Sequence, residues 1–469
     1  MADSKVTAAA SAGVPTAQYD LTNSVAPFMD LHFMFPLIDF LSSNEMYDDK
    51  QLQAAKLELL KPTKMADFAI EVHQALHGAS KVPAELEKKR HAIIDEVNAA
   101  KGQCKPFLTL VDDQDKIIAL QNDGLLTAAY LEQHHAVRFL AVAPYPHFPS
   151  FSSSLLVQIT SDVLEGLYTY AKLQYECGNY QDCLTYLTYY GVLVPNASEK
   201  YLNALWGKLA AEILVFRWED AVADIARINE AIDASVRSPL EQLQQRTWLL
   251  HWALFVYAWH EDGRDGIVDF MLQSRCLEAI QTNAPWLMRY LAAGVILHKK
   301  RRYLIKELLR IIHVDDKAYR DPIIEFLECL YVHFDFELAQ AKLLECKHVL
   351  ASDFFLAEKN MHAFMEHARL LTFEIYCRIH HTIDISLLAD KLAMNEKGDA
   401  EKWIVDLIRN ARLEAKIDSQ KDVIVMDTRY DSVYRQVITK TKDLAARTTT
   451  MIAQFDRLGK RQQQQRAQF

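Results

Sequence analysis

The sequence predicts a mainly α fold: an α-solenoid of tetratricopeptide-like helical hairpins, capped by a winged helix and followed by a long C-terminal helix. Three observations carry this. Apolar residues recur at steps of three and four through most of the chain. Glycine and proline number 13 each in 469 residues, too few for a turn-rich architecture. Late in the chain a β-prone link at Thr382–Asp384 and a drop to period two at Ala415–Ile417 and Val423–Met426 mark short strands among helices.

Residues 1–18 are small and polar, are expected to be disordered, and lack the apolar core of a secretory signal. Residues 19–138 read as an N-terminal helical region. Its helices fall at Val25–Phe33, Pro36–Leu41, Lys50–Leu60, Met65–His77 and Pro83–Ala99, with further ones near Asp115–Gln121 and Leu125–Gln133. Residues 139–161 form an irregular loop or insertion, because Pro144, Pro146 and Pro149 alternate there with aromatic residues and serines.

Residues 162–357 form the repeat array. Val163–Glu176 and Gln181–Val192 flank the turn Cys177–Tyr180, and Tyr201–Val215 and Trp218–Ala231 flank Phe216-Arg217. Pro239–Trp259 pairs with Gly266–Leu272, Pro285–Leu297 with Tyr303–Ile312, and Pro322–His333 with Glu337–Leu350 around Phe334–Phe336. Such pairs repeat at the spacing of solenoids, in which no pair buries its apolar face alone.

Residues 358–428 spell a winged helix. Its first helix carries Phe364, Ala368, Leu371, Ile375 and Ile379 on one face. The second opens at Ser386 and buries Leu388 and Leu392, and the third carries Trp403, Ile404, Leu407, Ile408 and Ala411. Residues 429–458 are one long helix for a bundle, and the Gln-rich residues 459–469 are expected to be disordered.

The formal charge is −10 and the isoelectric point about 5.9, so net steering toward phosphate backbones is absent. Seven cysteines, an odd number without tight pairing, read as reduced thiols of a cytoplasmic protein that can also be nuclear. The apolar run Trp248–Trp259 is too short for a bilayer, so no membrane contact is expected. His73-Gln-Ala-Leu-His77 has the spacing of a zinc protease helix, but Gln74 stands where the general base must be. Cys177 and Cys183 lack a second pair at zinc spacing and read as small core residues. Gly459-Lys460 lacks the upstream glycine of a phosphate loop. No catalytic, cofactor-binding or metal-binding set emerges, and the chain is not expected to be an enzyme.

Candidate interaction residues do emerge. The wing strand Val423, Ile424, Val425 and Met426 reads as a sheet edge able to add a neighbour's strand. Val437, Leu444, Met451 and Leu458 lie seven apart on the last helix, with polar Thr441 and Thr448 at the companion positions. Lys299, Lys300, Arg301 and Arg302, continued by Lys306 and Arg310, are a candidate contact for RNA or an acidic partner. The outward face of the third winged-helix helix mixes Glu401, Lys402, Asp406, Arg409, Asn410 and Glu414, which disfavours insertion into a DNA groove.

Several stretches carry a family resemblance. They include Tyr19–Thr22, Phe35–Ser42, Gln174–Tyr180, Leu205–Ala210, Gln244–Trp248 and Glu328–Tyr331. Cys377–His380, Leu388–Leu392, Trp403–Leu413 and Ala415–Asp418 continue it into the winged helix. The whole resembles the PCI-domain family shared by the proteasome lid, the COP9 signalosome and eukaryotic translation initiation factor three. Within that family the likeness is to the initiation-factor branch, nearly end to end. The resemblance implies a non-catalytic scaffold that joins the other subunits of the factor through winged-helix edges and a bundled C-terminal helix. It also implies support for recruitment of the small ribosomal subunit and mRNA, with candidate RNA contact. A scaffold of the lid or signalosome is the first alternative; a winged-helix nucleic-acid-binding regulator is the second.

Overall fold

Some helices begin where the sequence supplies a cap. Ser238 and Asp321 precede Pro239 and Pro322; their side chains accept hydrogen bonds from the backbone N–H of Glu241 and Ile323, and proline at the first helical position gives up no bond. Asp335 accepts from Glu337 and Leu338, both at 3.1 Å. The computed structural model describes residues 19–44, 47–77, 83–112, 161–194, 199–235, 237–261, 263–298, 303–314, 319–380, 382–384, 415–418, 423–426 and 433–467. The expected loop at 139–161, apart from Ser161, and the winged-helix segment 385–414 lie outside them.

The chain divides into two compact units, Met1–Arg369 and Leu370–Phe469. The first opens with α1 (Thr22–Val25), two 3-10 turns at Ala26–Phe28 and Leu31–Phe33, then α2 (Met34–Ser43), α3 (Asp49–Leu60), α4 (Ala66–His77) and α5 (Ala84–Asp112). The array follows as α6 (Ser161–Cys177), α7 (Tyr180–Leu193), α8 (Glu199–Val215), α9 (Trp218–Ala234) and α10 (Pro239–Trp259). It continues through α11 (Gly263–Met271), α12 (Ser274–Asn283), α13 (Met288–Leu297), α14 (Tyr303–Val314), α15 (Pro322–Glu328) and α16 (Phe336–Ser352). Consecutive helices from α6 to α10 pack side by side, as a solenoid requires. The periodicity did not reveal α12, whose buried face is only Cys276, Ala279 and Ile280 in a polar sequence. Helix α17 (Ala357–Ile379) carries the boundary between the units.

Three hairpins turn in one way. Gly178, with φ +93°, ends α6: its N–H bonds to the Tyr175 carbonyl and that of Asn179 to Gln174, a left-handed helix end. Phe216 repeats the geometry at the end of α8, with φ +63° and bonds from Phe216 to Ile213 and from Arg217 to Glu212. Phe334, with φ +54°, does so after a π turn at Cys329–His333, which widens the closing bond to Asp335–Cys329. An aromatic residue (Tyr180, Trp218 or Phe336) opens the next helix each time. Glycine takes this conformation at little cost, whereas phenylalanine gives up about 1 kcal/mol or more.

The short helices α2 to α5 pack in series, but residues 19–33 do not form the single helix expected over Val25–Phe33. Those residues run as a strap over the array. Phe28 stacks on His251 with ring centres 4.5 Å apart, and the Trp252 indole N–H donates to the Phe28 carbonyl at 3.2 Å. Asp30 caps its own 3-10 turn and accepts from the Tyr175 hydroxyl at 2.8 Å. His32 shares a 2.8 Å hydrogen bond with Tyr180, and Phe33 packs against Trp252 and Phe255.

Under the strap lies a buried ionic network. Arg289 donates to Asp321 (2.7 and 3.0 Å), to Asp353 (3.1 Å) and to the Tyr19 carbonyl (2.9 Å). Tyr290 donates to Asp353 at 3.0 Å. Burial opposes the arginine charge, but Asp321 and Asp353 more than offset it, and its pKa is raised.

Candidate assembly surfaces

In the second unit, β1 (Thr382–Asp384), β2 (Ala415–Asp418) and β3 (Val423–Met426) form an antiparallel sheet in the order β1-β3-β2. The register sets Ile424 opposite both Ile383 and Ile417. Ile383 and Ile424 are buried while Val425 is 37% exposed, the alternation of a sheet with one covered face.

This order corrects the edge assignment. Val423, Ile424, Val425 and Met426 read from sequence as the outer strand of the wing, yet β3 is central and bonded on both sides. The link Thr382–Asp384 returns to take its second flank, a pairing between distant parts of the chain that a local period does not encode. Among the described residues the sheet's edges are therefore β1 and β2, and the wing-side edge is Ala415–Asp418.

The last helix, α18 (Val433–Ala467), passes through Gly459, where the sequence reading ended it at Leu458. One glycine costs a helix about 1 kcal/mol, and the Lys, Arg, Gln and Ala that follow are good helix formers. Val437, Leu444 and Met451 are exposed along it; the helix includes Leu458, whose side chain lies outside the described residues. Exposed Val433, Tyr434, Ile438, Ile452 and Phe455 widen the stripe. Tyr434 and Phe455 occupy the heptad positions of Thr441 and Thr448, so extending that register by one repeat each way finds them. The Thr441 and Thr448 hydroxyls donate to the carbonyls of Val437 (2.7 Å) and Leu444 (2.9 Å). Their polarity is satisfied within the helix, which leaves the stripe more apolar than its sequence suggests.

Lys299, Lys300, Arg301 and Arg302 lie outside the described residues, while Lys306 and Arg310 are exposed on α14. His73 and His77 place their rings 4.7 Å apart on α4. Cys183 is buried in the core of α6 and α7, and burial pushes its thiol up to about 12. Among the described residues no group of three or more His, Cys, Asp and Glu is placed to hold a metal ion, and no helix is long and apolar enough to cross a membrane.

Two family models match, the eIF3 subunit 6 N terminal domain over residues 20–151 and the PCI domain over residues 341–428. The second takes in the end of α16, all of α17 and the three-stranded sheet. Curated relatives match nearly end to end. The E subunit of eukaryotic translation initiation factor 3 from Arabidopsis thaliana is 38% identical over 448 residues, 93% of this chain and 96% of its own length. The proteins of the same name from Bombyx mori (38% over 455 residues) and Culex quinquefasciatus (39% over 451) each cover 96% of the chain, and 97% and 98% of their own lengths. With a PCI module at the C-terminal end of a helical-repeat array and homology across both, the chain belongs to the family of E subunits of eukaryotic translation initiation factor 3.

Proposed function

We propose that this chain is a non-catalytic scaffold subunit of translation initiation factor 3, acting in the cytoplasm, that helps recruit the small ribosomal subunit and mRNA. The end-to-end likeness to the E subunits of that factor carries the reading. Assembly runs through two surfaces of the second unit. The first is β2, a sheet edge among the described residues, where Ala415–Asp418 offers its outward backbone groups to a strand from a neighbouring subunit. The second is α18, whose row Val437, Leu444, Met451 and Leu458 joins a helical bundle. In this reading Val423–Met426 supports the edge from behind, and Lys299–Arg302 with Lys306 and Arg310 is a candidate contact for RNA.

The experiment is affinity purification of the tagged full-length chain with mass spectrometry. Initiation-factor subunits and small-ribosomal proteins are expected to co-purify; proteasome-lid or signalosome subunits in their place would overturn the reading. Proline variants locate the surface. Neighbouring strand residues send their N–H groups to opposite sides, so of Lys416→Pro and Ile417→Pro one removes an outward donor and the other a bond to β3. The outward variant is expected to lose partner subunits while the chain's melting temperature holds. Full recovery of partners with both variants would exclude edge pairing.

A further inference from the structure

Two repeat turns of the first unit meet in a groove that the assembly surfaces do not use. The turn between α8 and α9 and the end of α10 line an open cavity of about 530 Å³. Its walls include Phe216, Trp218 and Trp259. The Phe216 and Trp218 rings lie 5.6 Å apart at 56°, and Phe216 is 71% exposed.

Phe216 is doubly misplaced for the stability of this chain alone. Its backbone occupies the left-handed region where one equivalent hairpin has Gly178, and its side chain faces solvent more fully than that of Phe334, the other left-handed phenylalanine. Such an outlier, set beside two tryptophans in a concavity, points to use by a partner.

The charge of the groove selects the partner. Glu219, Asp220 and Glu261 line it together with Arg217 and the imidazole of His260, an excess of acid over permanent base. Glu219 and Asp220 open α9 and so also suit the positive end of that helix. Glu261 lies between the C-terminus of α10 and the N-terminus of α11, so all three carboxylates gather at this one mouth of the groove. Among the described residues no ion pair neutralises any of the three carboxylates. Aromatic faces beside carboxylates attract a guanidinium or ammonium group, which gains the ring quadrupole and the negative charge together. The same carboxylates repel a nucleic-acid backbone.

We propose that this groove docks an arginine- or lysine-bearing linear segment of a partner protein, with a cationic side chain seated against Phe216, Trp218 and Trp259. The proposal does not depend on the sheet edge or on α18.

The test uses the full-length chain with fluorescent (Gly-Arg)4, (Gly-Glu)4 and oligouridine as probes, read by anisotropy. (Gly-Arg)4 is expected to bind and to weaken as salt rises, with the other two binding at least about tenfold more weakly. Phe216→Gly removes the ring while relieving the backbone, so folding is kept; it is expected to weaken (Gly-Arg)4 about tenfold at an unchanged or higher melting temperature. The combination Glu219→Gln, Asp220→Asn and Glu261→Gln is expected to lower affinity by a similar factor and flatten the salt dependence. Absence of (Gly-Arg)4 binding, equal binding of oligouridine or (Gly-Glu)4, or full affinity in Phe216→Gly would each overturn the proposal.

Discussion

Three buried titratable residues show how single side chains hold the array together and when they cease to. Arg289 neutralises Asp321 and Asp353 in a site closed on all sides, so Arg289→Met would strand two carboxylates. A loss of about 3–5 kcal/mol is expected in denaturant unfolding, more than for Tyr290→Phe, which removes one hydrogen bond. His251 lies under the strap with Nδ1 2.7 Å from the Thr247 carbonyl, and its Nε2 accepts from Trp286 at 3.0 Å. Burial lowers its pKa to about 4 from 6.5, so the unfolded chain takes up the proton first as pH falls. Its contribution is present above about pH 6.5 and lost from there down through about pH 4, at most about 3 kcal/mol. Glu212 has the opposite sign. Burial, then Asp224, raises its pKa to about 7 although Lys208 lies 3.1 Å away. Stability from its protonated form is present below about pH 4.5 and lost as pH rises through about 7. Glu212→Gln should therefore flatten the pH dependence of unfolding between about pH 4.5 and 7, and His251→Asn the dependence between about pH 4 and 6.5.

The elements owe their junctions to a few backbone positions. Gly263 opens α11 so close to α10 that a Cβ there would stand 1.9 Å from the Tyr257 carbonyl oxygen. Gly263→Ala is expected to cost about 3 kcal/mol in equilibrium unfolding, because backbone rather than a flexible side chain must move. At the turn into α16, Asp335→Ala removes a cap shared by two N–H groups and should cost about 1 kcal/mol. The helical period and the turn residues made most of this legible: Pro239, Pro322 and the triplet Phe334–Phe336 announce their boundaries. The left-handed geometry of Phe216 and Phe334 was not legible, since that conformation is read from glycine or asparagine and phenylalanine gives no local sign of it.

At the scale of the molecule, the strap makes the first unit more than a chain of nearest-neighbour repeats. Phe33, Phe28 and the Tyr19 carbonyl reach α10 and α13, far away in sequence. Phe33→Ala should cost about 3–5 kcal/mol, and amide exchange should quicken in α10, where Trp252 and Phe255 lose their cover. Exchange unchanged in α10 would show that the array holds without the strap. The candidate assembly surfaces were only partly legible. Val437, Leu444 and Met451 were visible as a seven-residue spacing and are exposed, whereas Val423–Met426, read as a sheet edge, is the central strand between Thr382–Asp384 and Ala415–Asp418.

The helical class, most helix positions, the short strands and the family were readable in the chain itself, since each follows from local periodicity, turn residues or long runs of matching residues. Only the tertiary structure decided which strand lies in the middle of the sheet, where the N-terminal segment runs, and that three repeat turns share a left-handed residue. The reason is physical. Strand order and docking are fixed by contacts between residues far apart in the chain, where closing the loop and covering apolar surface act together. Neither leaves a period or a spacing in the local sequence.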